Sequence, residues 1–446
     1  MSKIRYYLAY ALGNLSEVML KLIHKKIPYY KGYIALKIDH DFLKHVKKPK
    51  LVIAVTGTNG KSTICDLLKK ALEYNHMTVI NNNGFNIDTG IASMFLSMKR
   101  HTDVAIIEVD EKLSGEIFKS VPPDYLICTN LFRDSMKTNS TILNVATLIK
   151  KGIPKSTKRI LNGDDLIVVN NLGNQNSIYF SIDTLIKSRE HLFRDLIYCP
   201  LCNTKLDVIN LKYYHVGKMK CPKCGFTNPL PKYRANIDKD LVINNTYSIK
   251  DYDGSIFNAY NYLAIVSLLN EIGISTNDIN ESLNNIKLVD SRFSKTIINN
   301  KTLITHLAKG QNPVAVSSTL EYITNNKEDK TVLLMLDDVL DNRLSSETVA
   351  WYYDTDFEYL NDSSIKRIII GGKRCCDLYV RLLLAGINKD KIIYEDNISN
   401  MPKDIDYKNT NLIYLLHDLT LYDQSLEIKQ MIMENLHDWN IISGNM

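Results

Sequence analysis

No stretch of this chain is apolar for long enough to cross a bilayer. Its most apolar end, MSKIRYYLAYALGNLSEVMLKLIHKK, is interrupted by Asn14, Glu17 and Lys21, short of the roughly 18 apolar residues that a spanning helix needs. No small-residue cleavage site follows a short apolar core either, which argues against a secretory leader. The cytoplasm is therefore the expected compartment, with a peripheral place at the inner face of the plasma membrane left open. Within this segment Leu8, Leu12, Leu15, Val18, Met19 and Leu22 recur at helical spacing. That pattern suits a helix packed on the body of the protein or one lying on a membrane surface, and the first is expected. Internal repeats and low-complexity tracts are missing, so a solenoid is not expected. A strong excess of one charge is missing too: +6 over 446 residues is mild and says little about partners. The apolar share of 45% is that of a globular protein, and the length calls for two or three domains rather than one core.

What is present begins with a glycine-rich turn. Residues 51–55, LVIAV, form a short β-branched run that leads into Thr56-Gly57-Thr58-Asn59-Gly60, and Lys61, Ser62 and Thr63 open a helical pattern over 62–74. Strand, turn and helix in that order place backbone N–H groups and a helix N-terminus around phosphate oxygens. Gly57 and Gly60 permit the tight path, Lys61 can reach the β- and γ-phosphates of ATP, and a hydroxyl of Ser62 or Thr63 can ligate Mg²⁺. Further strands are expected near Met77, over 103–110 and over 124–130, alternating with helical stretches, which predicts a parallel sheet covered by helices. A carboxylate at the C-terminal end of such a strand is where a Mg²⁺ ligand is needed. Glu108 is the first choice, with Asp110 and Glu111 beside it. By period two Glu108 and Asp110 would share a strand face.

Cys199, Cys202, Cys221 and Cys224 form two CxxC pairs separated by 18 residues. In a cytoplasmic chain this spacing predicts a closed tetrahedral Zn²⁺ site with a structural role. Cys65, Cys128, Cys375 and Cys376 read as scattered thiols. The surrounding segment, about 198–233, has the texture of an insertion, and its sparse lysines favour a scaffold over a nucleic-acid reader. After a helical pattern at 257–273, a second α/β rhythm is expected from strands at 331–337, 365–372 and 411–417. The organisation is then a helical lead-in at 1–44, a central α/β domain at 45–290 and a C-terminal α/β domain at 291–446.

The compact loop TGTNGKST (56–63) resembles the superfamily of Mur ligases and folylpolyglutamate synthases. So do NNNGFNIDTGI (81–91), AIIEVDE (105–111) and LNGDD (161–165). The resemblance implies a Mur-type central ATPase domain and a nucleotide role for Asn162, Asp164 and Asp165, although the two aspartates also suit a helix cap. The four-cysteine insertion with YYHVGKMKCPKCG (213–225), together with NLFRDS (130–135) and FNAYNYLAI (257–265), is similar to the MurT branch of the family. Members of that branch are the synthetase subunits of lipid II isoglutaminyl synthase. The resemblance then implies ATP-dependent amidation of a carboxylate of lipid II through an acyl phosphate, with Lys61 and Glu108 as catalytic residues. It also implies a GatD-type glutamine amidotransferase partner, since no glutaminase signature is visible here. Asp354 is the candidate that completes the partner's triad, and a solvated surface acid is its plainer reading.

The C-terminal motifs depart from the family's pattern. In 336–358, Asp337, Asp338, Asp341, Trp351 and Asp354 hold register, but a glycine and a second tryptophan do not. DSRFSKT (290–296) keeps Arg292 and loses a glutamate, and AKGQNP (308–313) replaces a lysine-asparagine-proline run. An amino-acid-adding ligase, a folylpolyglutamate synthase and a nucleotide-binding paralogue without turnover are the alternatives.

Overall fold

The computed structural model describes residues 2–25, 27, 29–134, 141–186, 191–250, 252, 255–286, 293–336 and 346–443. The chain divides into two compact units. The first takes Met1–Phe132, Thr141–Glu190 and Arg194–Leu288, and the second takes Arg133–Ser140, His191–Phe193 and Val289–Met446.

In the first unit, apolar runs become strands β1 (Leu51–Thr56), β2 (Val79–Asn81), β3 (Val104–Glu108), β4 (Tyr125–Cys128), β5 (Lys158–Asn162) and β6 (Ser177–Ile182). β1, β3 and β4 are buried over nearly their whole length because helices cover both faces, which is why they read as continuous rather than alternating apolar runs. The strand order β2-β3-β1-β4-β5-β6 is parallel throughout, and Val55 lies opposite Glu108 on one side and Ile127 on the other. The carboxyl ends of three neighbouring strands are thereby aligned at the point where the order reverses, the usual place for a ligand in such sheets. The helix Lys61–Tyr74 that leaves β1 buries Ile64, Leu67, Leu68, Ala71 and Leu72, an i, i+3, i+4, i+7, i+8 stripe.

Two strands, β7 (Asp207–Tyr213) and β8 (Val216–Lys220), form a separate antiparallel ribbon. The chain then rejoins the large sheet as β9 (Tyr233–Ile237), parallel to β6. β10 (Leu241–Ile243) and β11 (Tyr247–Ile249) follow antiparallel and extend the sheet to nine strands.

The second unit holds a six-stranded sheet of β12 (Phe293–Ile298), β13 (Lys301–Leu307), β14 (Lys330–Met335), β15 (Ile365–Gly371), β16 (Ile392–Glu395) and β17 (Leu412–His417). Only the β12–β13 pair is antiparallel. Successive residues serve opposite faces, with Val332 and Leu334 in one cluster and Leu333 and Met335 in the other.

The N-terminal segment corrects one expectation. It is helical over Ser2–Leu22 and it does pack on the body, but through Ala9 and Gly13. Leu8, Leu12, Leu15, Val18, Met19 and Leu22 all face outward, 38% to 74% exposed. No helix among the described residues is long and apolar enough to cross a membrane.

Candidate active site

The turn after β1 is held from behind by the segment that follows β4. Asn130 accepts the Thr58 amide on its carbonyl (2.9 Å) and the Asn59 amide on its Oδ1 (2.9 Å). Thr129 Oγ1 donates to the Asn59 carbonyl at 2.6 Å, and Thr58 Oγ1 accepts the Phe132 amide at 2.9 Å. Gly57 and Gly60 have φ of 119° and 92°. A Cβ at Gly57 would stand 2.5 Å from Thr129 Oγ1, and one at Gly60 would stand 2.3 Å from Asn261 Oδ1, so both positions need glycine on two counts. The Thr58 and Asn59 amides are committed to Asn130, and the turn runs on from Gly60 into the helix Lys61–Tyr74. Thr63 lies in that helix's first turn. Helix-initial N–H groups lack intrahelical acceptors, and the dipole favours an anion there.

Lys61 is 8% exposed; its ammonium donates to the Gly57 carbonyl at 2.6 Å and pairs with Glu111 at 3.2 Å. Ser62 Oγ donates to Glu108 Oε1 at 3.0 Å. Two ligands at adjacent corners of a magnesium octahedron lie about 2.9 Å apart, so this hydroxyl and carboxylate fit the ion as they stand. Glu108 is further fixed by Asn82, whose side chain accepts the Glu108 amide (2.9 Å) and donates to its carbonyl (2.7 Å). Asp110 is not on the same strand face, because β3 stops at Glu108. Its carboxylate instead accepts the Lys112 amide in a turn. The second acid at the site is Glu111, which sequence spacing ranked only as a neighbour.

Asn162, Asp164 and Asp165 are wholly buried. Asp165 Oδ1 caps the helix Leu166–Leu172 through the amides of Ile167 and Val168, and its Oδ2 accepts the Leu131 amide. Asp164 accepts from Ser181 Oγ, the Ile182 amide and the Tyr260 hydroxyl, at 2.8 to 2.9 Å. Burial pushes its carboxyl above the usual range despite these donors. Asn162 Oδ1 accepts the Asp164 amide. The cap alternative is thus the one Asp165 fulfils, and the trio braces the wall behind the loop. His215, equally buried, lies 3.5 Å from Asp165 with its ring 4.6 Å from that of Phe132.

The four ribbon cysteines bring their Sγ atoms within 4.8 Å of one another, with Cys199–Cys224 at 3.5 Å and Cys202–Cys221 at 3.4 Å. Tetrahedral zinc with S–Zn bonds of 2.3 Å needs S–S edges of about 3.8 Å, so the set fits. Each knuckle ends on a left-handed residue, Asn203 at φ 56° and Gly225 at φ 75°, that turns the chain back under its sulfurs. The amides of Asn203 and Gly225 return to the carbonyls of Cys199 and Cys221.

Residues 55–218 match the family model described as Mur ligase middle domain, and residues 309–421 match MurT ligase C-terminal. The lipid II isoglutaminyl synthase (glutamine-hydrolyzing) subunit MurT of Staphylococcus aureus is 29% identical over 91% of this chain and 94% of its own. The corresponding subunit of Streptococcus pneumoniae is 28% identical over 90% of this chain and 91% of its own. Among solved structures, a pseudomurein peptide ligase type C from Methanothermus fervidus superposes with a TM-score of 0.68 at 26% identity, covering 88% of this chain and 81% of that one. The chain belongs to the Mur ligase family.

Mur ligases are ATP-dependent, which agrees with the loop geometry. In the second unit, part of the NLFRDS motif meets two segments that depart from the family's pattern. Arg133 of NLFRDS pairs with Asp354 at 3.1 Å and stacks its guanidinium over Phe193, and Asp134 pairs with Lys309 of AKGQNP at 2.9 Å. Asp354 ends the 3-10 segment Ser346–Asp354 and its side chain is 18% exposed. The turn beyond it is clamped by the buried Arg381, which donates to the carbonyls of Tyr352 and Thr355 and to Glu358. Trp351 is core. Arg381 and Thr129 escaped sequence reading, and Asn82 and Asn261 were found only as members of family-like motifs, because their partners are distant in the chain. Arg292, Asp337, Asp338 and Asp341 lie outside the described residues.

Proposed function

We propose that this Mur ligase is the synthetase subunit of a two-subunit amidotransferase that converts the α-carboxyl of D-glutamate in the lipid II stem peptide to an amide. The observation that carries the reading is the match to two MurT subunits over 91% and 90% of this chain, supported by Ser62 Oγ standing 3.0 Å from Glu108 Oε1 beside Lys61. On this reading a substrate carboxylate oxygen attacks the γ-phosphorus in line, the bond to the β,γ-bridging oxygen breaks, and ADP departs. Ammonia then attacks the acyl carbon and expels phosphate, leaving the amide after loss of a proton. Lys61 and the helix N-terminus hold the phosphates and offset the charge that develops on them. Ser62 and Glu108 would hold a magnesium ion, which when bound would supply Lewis-acid neutralisation of the same charge.

Ammonia at neutral pH is mostly the non-nucleophilic ammonium ion, so a dedicated source is an advantage. A GatD-type glutaminase would supply it, with Asp354 completing that partner's Cys-His pair. Zinc in the four-cysteine ribbon serves structure. A lipid-linked substrate places the work at the inner face of the plasma membrane.

The test is ATP-dependent amide formation on lipid II, read by mass spectrometry, with ammonium or with glutamine plus the co-purified partner. Lys61→Ala should keep the fold and lower turnover roughly a hundredfold or more, because the phosphates lose a fixed cation. Incorporation of an amino acid in place of ammonia would identify an amino-acid-adding ligase instead. ATP binding without turnover on any donor would leave a nucleotide-binding paralogue.

A further inference from the structure

The helix Ser2–Leu22 carries two apolar faces. One is buried against the helix Tyr30–Ile38 through Ala9 and Gly13. The other faces outward: Ile4 is 76% exposed, Leu8 49%, Leu15 51%, Val18 52%, Met19 60% and Leu22 74%. At α-helical pitch these six fall within an arc of about 100°, roughly opposite Ala9 and Gly13. Isolated exposed leucines need no explanation, but a continuous stripe along a whole helix does.

The charges around the stripe have one sign. Lys3 and Lys21 border one edge and Arg5 the other, and Lys25 follows the helix, all of them exposed. The helix's single acid, Glu17, is turned away from the stripe to pair with Lys31 at 2.6 Å and Lys21 at 2.9 Å. The apolar surface also continues beyond the helix. Exposed Ile27 and Tyr29 follow it, and the Tyr29 ring lies 5.9 Å from that of Phe85. Phe85 belongs to the loop whose Asn82 is hydrogen-bonded to both Phe85 and Glu108. The surface therefore runs from the N-terminal helix to the loop that fixes the magnesium-site carboxylate.

We infer that this helix lies on an anionic membrane surface, with its outward stripe set into the boundary between headgroups and acyl chains. Long basic side chains at the rim of an apolar face suit that depth, since their stems stay apolar while their heads reach lipid phosphates. No helix among the described residues is long and apolar enough to span, and this one's other face is already packed on the body, so it docks rather than crosses. Its surface is argued from exposure and charge alone. What it would accomplish, holding the loop of Asn82 and Phe85 near a lipid-linked carboxylate, rests on the function proposed above.

The test needs neither substrate nor ATP, so it stands or fails apart from that function. The full-length protein is floated with vesicles of phosphatidylcholine alone or with about 30% phosphatidylglycerol, at low and high salt. Binding is expected to the anionic vesicles and to weaken with salt. The variant Leu8→Gln/Leu15→Gln/Met19→Gln should lose about tenfold or more of it while keeping its circular dichroism and melting temperature, because none of the three touches the core. Binding to neither vesicle, or equal binding by the variant, overturns the inference. So does a wild-type dimer in sedimentation that the variant abolishes, since a second copy of the chain would then cover the stripe.

Discussion

At the scale of single residues, the loop depends on side chains that lie outside it. Asn130 holds two amides of the turn, Asn261 fills the space a Cβ at Gly60 would need, and Tyr260, one residue earlier, donates to Asp164. Asp164 is the clearest case for a bracing role, since three buried donors converge on its carboxylate. Asp164→Ala should strand the Ser181 hydroxyl, the Ile182 amide and the Tyr260 hydroxyl, and lower unfolding stability by about 3 kcal/mol or more, at about 1–3 kcal/mol for each buried group left unpaired. Chemical denaturation of the nucleotide-free protein measures this. An unchanged midpoint with weaker ATP binding would instead make Asp164 a nucleotide ligand, as its LNGDD context suggested. Lys61 and Ser62 are legible in sequence because a strand, a glycine turn and a helix fix them locally, and Glu108 because it ends the apolar run of β3. Asn130 and Asn261 fall in the NLFRDS and FNAYNYLAI motifs, but their role at the turn is not legible, because one partner lies 71 residues away and the other is met from a separate helix.

At the scale of elements, legibility followed burial. β1, β3, β4, β14, β15 and β17 are enclosed on both faces and stand out as apolar runs. β9, β10 and β11 alternate buried with exposed or half-buried residues at one end of the sheet and gave no such run. Periodicity also located the N-terminal helix without revealing that its leucines face outward, since spacing shows a stripe but not what covers it. The ribbon was legible from its cysteines, and the structure adds what it leans on. Cys199, Cys221, Leu206 and Met219 pack with Leu166, the Gly217 amide donates to the Asp164 carbonyl, and Asn228 bonds to Gly163. The ribbon thus backs the same turn that carries Asp164 and Asp165. Protein purified without added metal should hold one zinc per chain. Chelation should then raise amide exchange in the ribbon and in residues 163–172 together, because a four-thiolate site holds the fold of its own knuckles. Zinc content near zero by elemental analysis would remove the metal from the account, and exchange confined to the knuckles would remove the link to the turn.

At the scale of the whole molecule, the two units carry different parts of the proposed chemistry. Lys61, Ser62 and Glu108 belong to the first unit, and Asp354 belongs to the second. Asp354 is the residue on which the proposed partner chemistry rests. It is partly exposed beside the exposed Tyr353, its turn is clamped by Arg381, and its carboxylate is held in place by Arg133. A half-exposed pair of this kind contributes about 0–1 kcal/mol, so Asp354→Asn should fold normally. A carboxylate that orients a partner's histidine matters to glutamine hydrolysis and not to phosphoryl transfer. The variant should therefore lose glutamine-driven amidation by about a hundredfold or more, as a triad loses when its histidine is misoriented, while activity with high ammonium stays near wild type. Assaying both nitrogen donors on the intact two-subunit complex separates the cases. Equal loss with both would place Asp354 in the ligase reaction or in the fold, and full activity with glutamine would leave it the plain surface acid that its position in the sequence also allows.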